Sequence, residues 1–243
     1  MSLIRDAVDL LLPRNCCVCG RFADADGHVP FEVPENFHIC FDCLSQLVPG
    51  PVEKRFFPCL SEPFDSDPIP GLLLYMPFSY RGFFEKAVPK MKFDSHPELA
   101  SFAGCVLGSL MKKDGIAADL MVPVPLSESR YRERGYNQAG LIAAEAGRIC
   151  GIPCVEGVLK RTRDTMRQTE ITDNAMRSLN VNGAFETDPS FVVEGLKVIV
   201  VDDVATTGNT LHEAASALYK EGASEVLCCA LAGNRAVLNA ESI

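Results

Sequence analysis

Apolar residues fall into two alternating rhythms from about residue 71 onward. KVIVVDD (197–203) is a continuous β-branched run of the kind that fills a strand covered on both faces. GLLLYMPFSY (71–80), DLMVPVPL (119–126) and SEVLCCALA (224–232) are further strand candidates. Between them, PELASFAGCVLGSLMKK (97–113) spaces its apolar residues at helical intervals and begins on proline, whose missing N–H costs nothing at a first helical position. YNQAGLIAAEAGRICG (136–151) and TLHEAASALYKEG (210–222) read as helices that end at glycine. This alternation predicts an α/β fold, a mostly parallel sheet with helices on both faces.

Before residue 71 the rhythm is lost. Residues 13–70 hold six of the eleven cysteines and many prolines, and the first 70 residues carry five Lys/Arg against eleven Asp/Glu. So small and polar a stretch needs a staple to fold, because it cannot bury enough surface alone. MSLIRDAVDLLLPRN reads as a short amphipathic helix rather than a signal peptide, and the Pro-rich segment 58–70 reads as a linker. The expected organisation is therefore an N-terminal helix, cysteine module and linker over 1–70, then a larger α/β domain over 71–243.

Charge narrows the partners. Lys+Arg number 23 and Asp+Glu 32, a formal net charge of −9, which argues against a chain-wide cationic face for nucleic acid but allows a local basic patch. No run of 18 apolar residues exists, so no membrane span is expected. The chain reads as unexported and cytoplasmic, which turns its cysteines toward metal ligation or buried thiols and away from a disulfide framework.

Cys16 and Cys19, then Cys40 and Cys43, form two C-x2-C pairs separated by twenty residues. That spacing suits a structural Zn2+ ribbon with four thiolates in a tetrahedron. Gly20 after the first pair fits a tight turn that brings backbone amides to the sulfurs. A redox C-x-x-C and plain buried thiols are the alternatives, and Cys17, His28, His38 and Cys59 are substitute ligands. Cys105, Cys150, Cys154, Cys228 and Cys229 fall in helix or strand patterns and read as core residues.

The strongest chemical signal is VIVVDDVATTGNT (198–210): a buried strand, two carboxylates, a small hydroxyl-rich turn and a helix. In an open parallel sheet, ligands sit at the carboxyl ends of the strands. Ala205, Thr206, Thr207, Gly208, Asn209 and Thr210 can wrap an anion with N–H groups and hydroxyls, and the following helix adds its positive end. Asp202 and Asp203 accept hydrogen bonds only, which suits a vicinal diol such as that of a ribose, or a divalent cation. Being adjacent, they point to opposite faces within a strand but can border one ligand where the strand ends. The plainer reading is that the carboxylates cap a strand and the turn caps a helix. No Walker-type lysine and no G-x-G-x-x-G occurs, and only 40 residues follow Asp203, too few for a receiver domain.

Two basic segments break the acidic trend. SESRYRERGYNQAG (127–140) carries Arg130, Arg132 and Arg134 just past a strand end, and LKRTRDTMRQTE (159–170) carries Lys160, Arg161, Arg163 and Arg167. Arginine forks match phosphate oxygens in a bidentate way, although a solvated surface is the default reading of such stretches.

VIVVDDVATTGNT resembles the 5-phosphoribosyl-1-pyrophosphate (PRPP) signature of type I phosphoribosyltransferases. The resemblance implies that Asp202 and Asp203 contact the ribose hydroxyls and that the turn through Thr210 holds the 5-phosphate. VPVPLSESRYRERGYNQA (122–139), TRDTMRQTEIT (162–172) with RSLNVNGAF (177–185), and the PRPP signature occur in the order found in the ComF family, and Lys92 of VPKMKFD has a counterpart there. These proteins join an amino-terminal zinc region to a phosphoribosyltransferase domain and are associated with DNA uptake. The resemblance implies Arg130 and Arg134 at the pyrophosphate, Arg163, Arg167 and Gln168 on a closing hood, and Mg2+ arriving with PRPP. Two functions follow from it: a transferase that releases pyrophosphate, or a protein without turnover that senses PRPP or binds single-stranded DNA or a competence-machinery partner.

Overall fold

The computed structural model describes residues 15–21, 23, 38–47, 55–57, 72–94, 96–162, 183–206 and 208–233. The expected N-terminal helix, the expected linker over 58–70 and the expected hood residues Arg163, Arg167 and Gln168 lie outside the described residues, as do Thr207, His28 and Cys59. In chain order the elements are α1 (Phe41–Leu44), β1 (Arg55–Phe57), β2 (Leu72–Tyr75), β3 (Phe78–Ser79), α2 (Phe83–Phe93), α3 (Pro97–Lys113) and β4 (Leu120–Pro123). They continue with α4 (Glu128–Arg134), α5 (Gln138–Cys150), β5 (Leu159–Arg161), β6 (Phe185–Thr187), β7 (Lys197–Ala205), α6 (Asn209–Lys220) and β8 (Glu225–Gly233).

The main sheet runs β1-β2-β8-β7-β4, with β3 also paired to β8. Every pairing in it is parallel except β1–β2, where Arg55 faces Leu74 and Phe57 faces Leu72. Strand β7 is central: Val198 to Val201 pair with Leu120 to Pro123 of β4 on one side and with Val226 to Cys229 of β8 on the other. All four residues are buried, as a strand covered on both faces requires. Residues 55–57, on the N-terminal side of the expected linker, thus add an edge strand to the sheet of the larger domain.

Alternation along β7 divides the core. Ile199 and Val201 face a layer built from α2, α3 and α5, whereas Val198 and Val200 face α6 and the two-stranded β5–β6 hairpin. The first layer is aromatic at one end: Phe83 meets Phe84 edge-on at 5.2 Å and Phe102 at 5.7 Å between ring centroids. At its other end α3 and α5 approach closely over Gly104 and Gly108. A Cβ at Gly104 would lie 2.5 Å from the Ile142 carbonyl oxygen, and one at Gly108 would lie 2.8 Å from Ala146 Cα. Neither position can yield locally, since both obstacles are backbone. Gly108→Leu is therefore expected to force the helices apart and destabilise the protein by about 1–3 kcal/mol. A denaturant titration with an unchanged midpoint would contradict this packing.

The basic segment that follows β4 forms α4 in the structure. Its cause is local: the Ser127 hydroxyl caps the helix by accepting from the Arg130 N–H, and Gly135 ends it at φ 78°. The first layer also extends to the cysteines, since Cys16, Val18, Ile39, Cys40 and Cys43 pack in the same cluster as Phe83 and Phe84. The Phe83 N–H donates to the Gln46 carbonyl at 3.1 Å, and Lys86 Nζ donates to Gln46 Oε1 at 2.7 Å.

Candidate ligand-binding site and metal site

Strand β7 continues as far as Ala205, so Asp202 and Asp203 lie inside it and not at its end. Their side chains accordingly part to the two faces of the sheet. Asp203 enters the α2/α5 layer and is only 3% exposed. Lys92 Nζ, in the last turn of α2, lies 2.9 Å from its Oδ2. Gln138 Nε2, at the start of α5, donates to the same oxygen at 3.0 Å. Gln138 is held there by its neighbour: Asn137 caps α5 by accepting from the Ala139 N–H, and its amide donates to the Val124 carbonyl just beyond β4. The strand ends, the helix start and the carboxylate are thereby fixed to one another.

Asp202 faces the other layer, and its Oδ1 accepts the Asp203 N–H at 2.8 Å. Burial, reinforced by the charge of Asp203, pushes its carboxyl up to about 7, against the opposing pull of Lys92, that backbone hydrogen bond and Arg161. An unfolded aspartate titrates near 4. The native state therefore holds a proton that the unfolded chain has lost, and stability falls as pH rises from about 4 to 7.

The turn after β7 delivers α6 at the carboxyl edge of the sheet. Gly208 takes φ 79° and caps α6, with the His212 N–H bonded to its carbonyl at 2.9 Å. Ala205 is buried, Gly208, Asn209 and Thr210 are half-buried, and Thr206 is exposed. The turn begins two residues after Asp203, where β7 ends.

Of the expected cations, the structure brings several together. Arg134 is half-buried, and its guanidinium lies over the Phe93 ring at 5.5 Å from the centroid. Burial pulls its pKa down, the charge of Asp203 pushes it back up, and Arg130 lowers it further, so these groups share one corner. Its Nε is buried without a hydrogen-bond partner, as is Gln138 Oε1. Arg161 packs over Phe185 and acts on Asp202. Lys160, by contrast, is turned to Asp188 at 2.6 Å within the β5–β6 hairpin. The sequence reading passed over Gln138 and Tyr80, whose hydroxyl feels both Lys92 and Asp203. The available sign for Gln138 was a lone amide opening an otherwise small and apolar helix face.

The cysteines converge as their spacing predicts. The sulfurs of Cys16, Cys19, Cys40 and Cys43 all lie within 4.8 Å of one another. Cys19 and Cys40 stand 3.6 Å apart, close to the ~3.8 Å edge of a tetrahedron with 2.3 Å metal–sulfur bonds. The Gly20 N–H closes the first knuckle onto the Cys16 carbonyl at 2.8 Å, and the Cys43 and Leu44 N–H groups close the second onto Cys40 at 3.1 Å. Burial raises the Cys43 and Cys40 thiols. At Cys19 the cost of burial is outweighed by hydrogen bonds from the Arg21 backbone and side chain, which bring it down to about 6. Four thiols so arranged can hold a metal ion, consistent with Zn2+, which would keep them deprotonated. Cys17 is not part of the set: its thiol donates to the His38 carbonyl at 3.2 Å, and burial pushes it up to about 12. Cys105, Cys228 and Cys229 are buried, while Cys150 and Cys154 are partly so.

Comparison with known proteins adds to this geometry. Residues 133–241 match the phosphoribosyl transferase domain family. Competence protein F of Haemophilus influenzae is 36% identical over 117 residues, covering 47% of this chain and 50% of that protein. DNA utilization protein YhgH of Escherichia coli K12 is 30% identical over 148 residues (57% and 62%), and competence protein ComFC of Bacillus subtilis is 28% identical over 148 residues (60% and 57%). The matched part of the chain thus spans between half and 62% of these relatives. Among solved structures, glutamine phosphoribosylpyrophosphate amidotransferase from B. subtilis, complexed with ADP and GMP, is similar at 24% identity and a TM-score of 0.40, over 58% of this chain and 30% of that one.

Proposed function

We propose, from the match of residues 133–241 to the phosphoribosyl transferase domain family and the similarity to competence protein F, YhgH and ComFC, that the chain is a ComF-type protein that binds PRPP at the carboxyl edge of β7. The observation that carries this reading is convergence. Lys92 from α2 and Arg134 from α4 act on Asp203 near the carboxyl end of β7, two residues before the turn into α6, Asp202 lies on the other face of the strand, and a buried Arg134 N–H still lacks an acceptor. The turn from Ala205 to Thr210 takes the 5-phosphate, Asp202 and Asp203 take the ribose hydroxyls, and Arg130 and Arg134 take the pyrophosphate. The family resemblance adds Arg163, Arg167 and Gln168 as further pyrophosphate-side residues. Mg2+ enters with the ligand as the counter-ion of its diphosphate.

Such a site works by positioning and by charge. The bond from ribose C1 to the diphosphate oxygen breaks with its electron pair leaving on pyrophosphate, and an acceptor lone pair forms the new bond at C1. Arginines aimed at the departing diphosphate stabilise the charge that develops on it.

A second reading has its own support. Helix α4 carries Arg130, Arg132 and Arg134 together with Tyr131, 53% exposed, and Arg134 leads to Phe93, 62% exposed. Basic and aromatic side chains mixed in this way suit stacked single-stranded DNA. No helix among the described residues is long and apolar enough to cross a membrane.

Calorimetry separates the two. PRPP at millimolar Mg2+ is expected to give a saturable heat that inorganic pyrophosphate diminishes by competition. Absence of heat with PRPP, beside oligonucleotide binding that weakens steeply with salt, would overturn the first reading in favour of the second.

A further inference from the structure

Lys92 is the cation closest to the carboxylate pair, and neither phosphate nor ribose recognition has yet given it a role. Its side chain is 25% exposed, whereas that of its partner Asp203 is 4% exposed. The ammonium is therefore the member of the ion pair that a ligand can reach. Lys92 lies 2.9 Å from Asp203, whose charge also acts on the half-buried Arg134, so the two cations share one carboxylate.

Two buried atoms around that carboxylate lack partners, and they ask for opposite things. Arg134 Nε is a donor without an acceptor, which calls for an anion. Gln138 Oε1 is an acceptor without a donor, and it sits on the amide whose nitrogen already holds Asp203. An acceptor pair made of Gln138 Oε1 and Asp203 calls for hydroxyl hydrogens. A ligand with both a diol and a diphosphate meets both demands, but its diol must compete with Lys92 for Asp203 Oδ2. A lysine on a flexible four-carbon stem can give way and keep its charge paired by turning to a phosphate oxygen.

Resting on the PRPP reading above, we infer that Lys92 is a diphosphate-binding residue, held on Asp203 in the free protein and exchanged onto the diphosphate when ribose hydroxyls engage Asp203 and Gln138. The exchange couples the two halves of the ligand. The sugar releases the cation that the diphosphate uses.

The inference has an opposite-sign signature that a structural role would not produce. The intact protein and its Lys92→Gln and Lys92→Arg variants are titrated with magnesium pyrophosphate and, separately, with ribose 5-phosphate. In Lys92→Gln, pyrophosphate affinity is expected to fall on the order of tenfold or more, as for loss of a charge-assisted hydrogen bond. Ribose 5-phosphate affinity is expected to hold or to tighten, because its competitor is gone. Lys92→Arg restores most of the pyrophosphate binding. Lys92→Met, which keeps the apolar stem, serves as a second neutral variant and is read in the same way. Pyrophosphate affinity within twofold of wild type in the neutral variants, or equal losses for both ligands, would overturn the inference while leaving PRPP binding intact. Wild-type protein that binds neither ligand would remove the PRPP reading and this inference with it.

Discussion

Cys40→Ser is expected to lower bound zinc to well below one equivalent and to unfold the cysteine module. The four sulfurs are close enough for a shared tetrahedral ion, and structural zinc sites of this kind supply about 10–16 kcal/mol of apparent binding energy near neutral pH. A module with so few apolar residues has little else to replace it. The effect should spread beyond the module. Val18, Ile39 and Cys43 cover the Phe83–Phe84 end of α2, and the Gln46 carbonyl is tied to the Phe83 N–H. Hydrogen exchange should therefore rise over 15–47 first and over α2 next, leaving β7 and β8 protected. Cys17→Ser is the control, since that thiol bonds to the His38 carbonyl and should be lost without loss of metal. Metal analysis of freshly purified protein that finds no zinc, or a Cys40→Ser variant with unchanged exchange, would contradict the ribbon.

Asp202→Asn is expected to separate stability from binding. The raised carboxyl of Asp202 disfavours its ionised form in the native state, so its burden grows as pH climbs from about 4 to 7 and is constant above. Asparagine imitates the protonated form and can still accept the Asp203 N–H. The variant should therefore melt higher than wild type at pH 8 and equal it near pH 4. Its PRPP affinity should nevertheless fall by about tenfold or more, because a neutral amide accepts more weakly from ribose hydroxyls. Gain of stability with loss of binding marks a residue kept for its ligand. A strand-capping role predicts no change in ligand affinity, and a variant less stable than wild type at pH 8 would refute the electrostatic account. Asp203→Asn behaves otherwise, since it disrupts a buried contact to Lys92 and Gln138 and costs stability as well as binding.

The sheet was legible in the sequence where the physics is local or strongly periodic. The helix expected over 97–113 is α3 to the residue, and β8 lies one residue from its expected place. The split of 71–80 into β2 and β3 was hidden inside one apolar run. Helix α2 escaped notice because Pro89 interrupts its pattern, although Phe83, Phe84, Ala87, Val88 and Met91 bury one face. The cysteine site was readable because metal ligation fixes both residue type and spacing. The depth of Asp203 was not readable. It depends on Lys92 from α2 and Gln138 from α5 meeting on one oxygen, a contact between segments far apart in the chain, and local patterning carries no record of it.

The most direct test is a crystal structure of the protein with magnesium PRPP bound. The ligand should have its 5-phosphate in the Ala205–Thr210 turn, its ribose hydroxyls on Asp202 and Asp203, and its diphosphate toward Arg134. A turn left empty at saturating ligand, or one filled by the protein's own side chains with PRPP bound elsewhere, would contradict it.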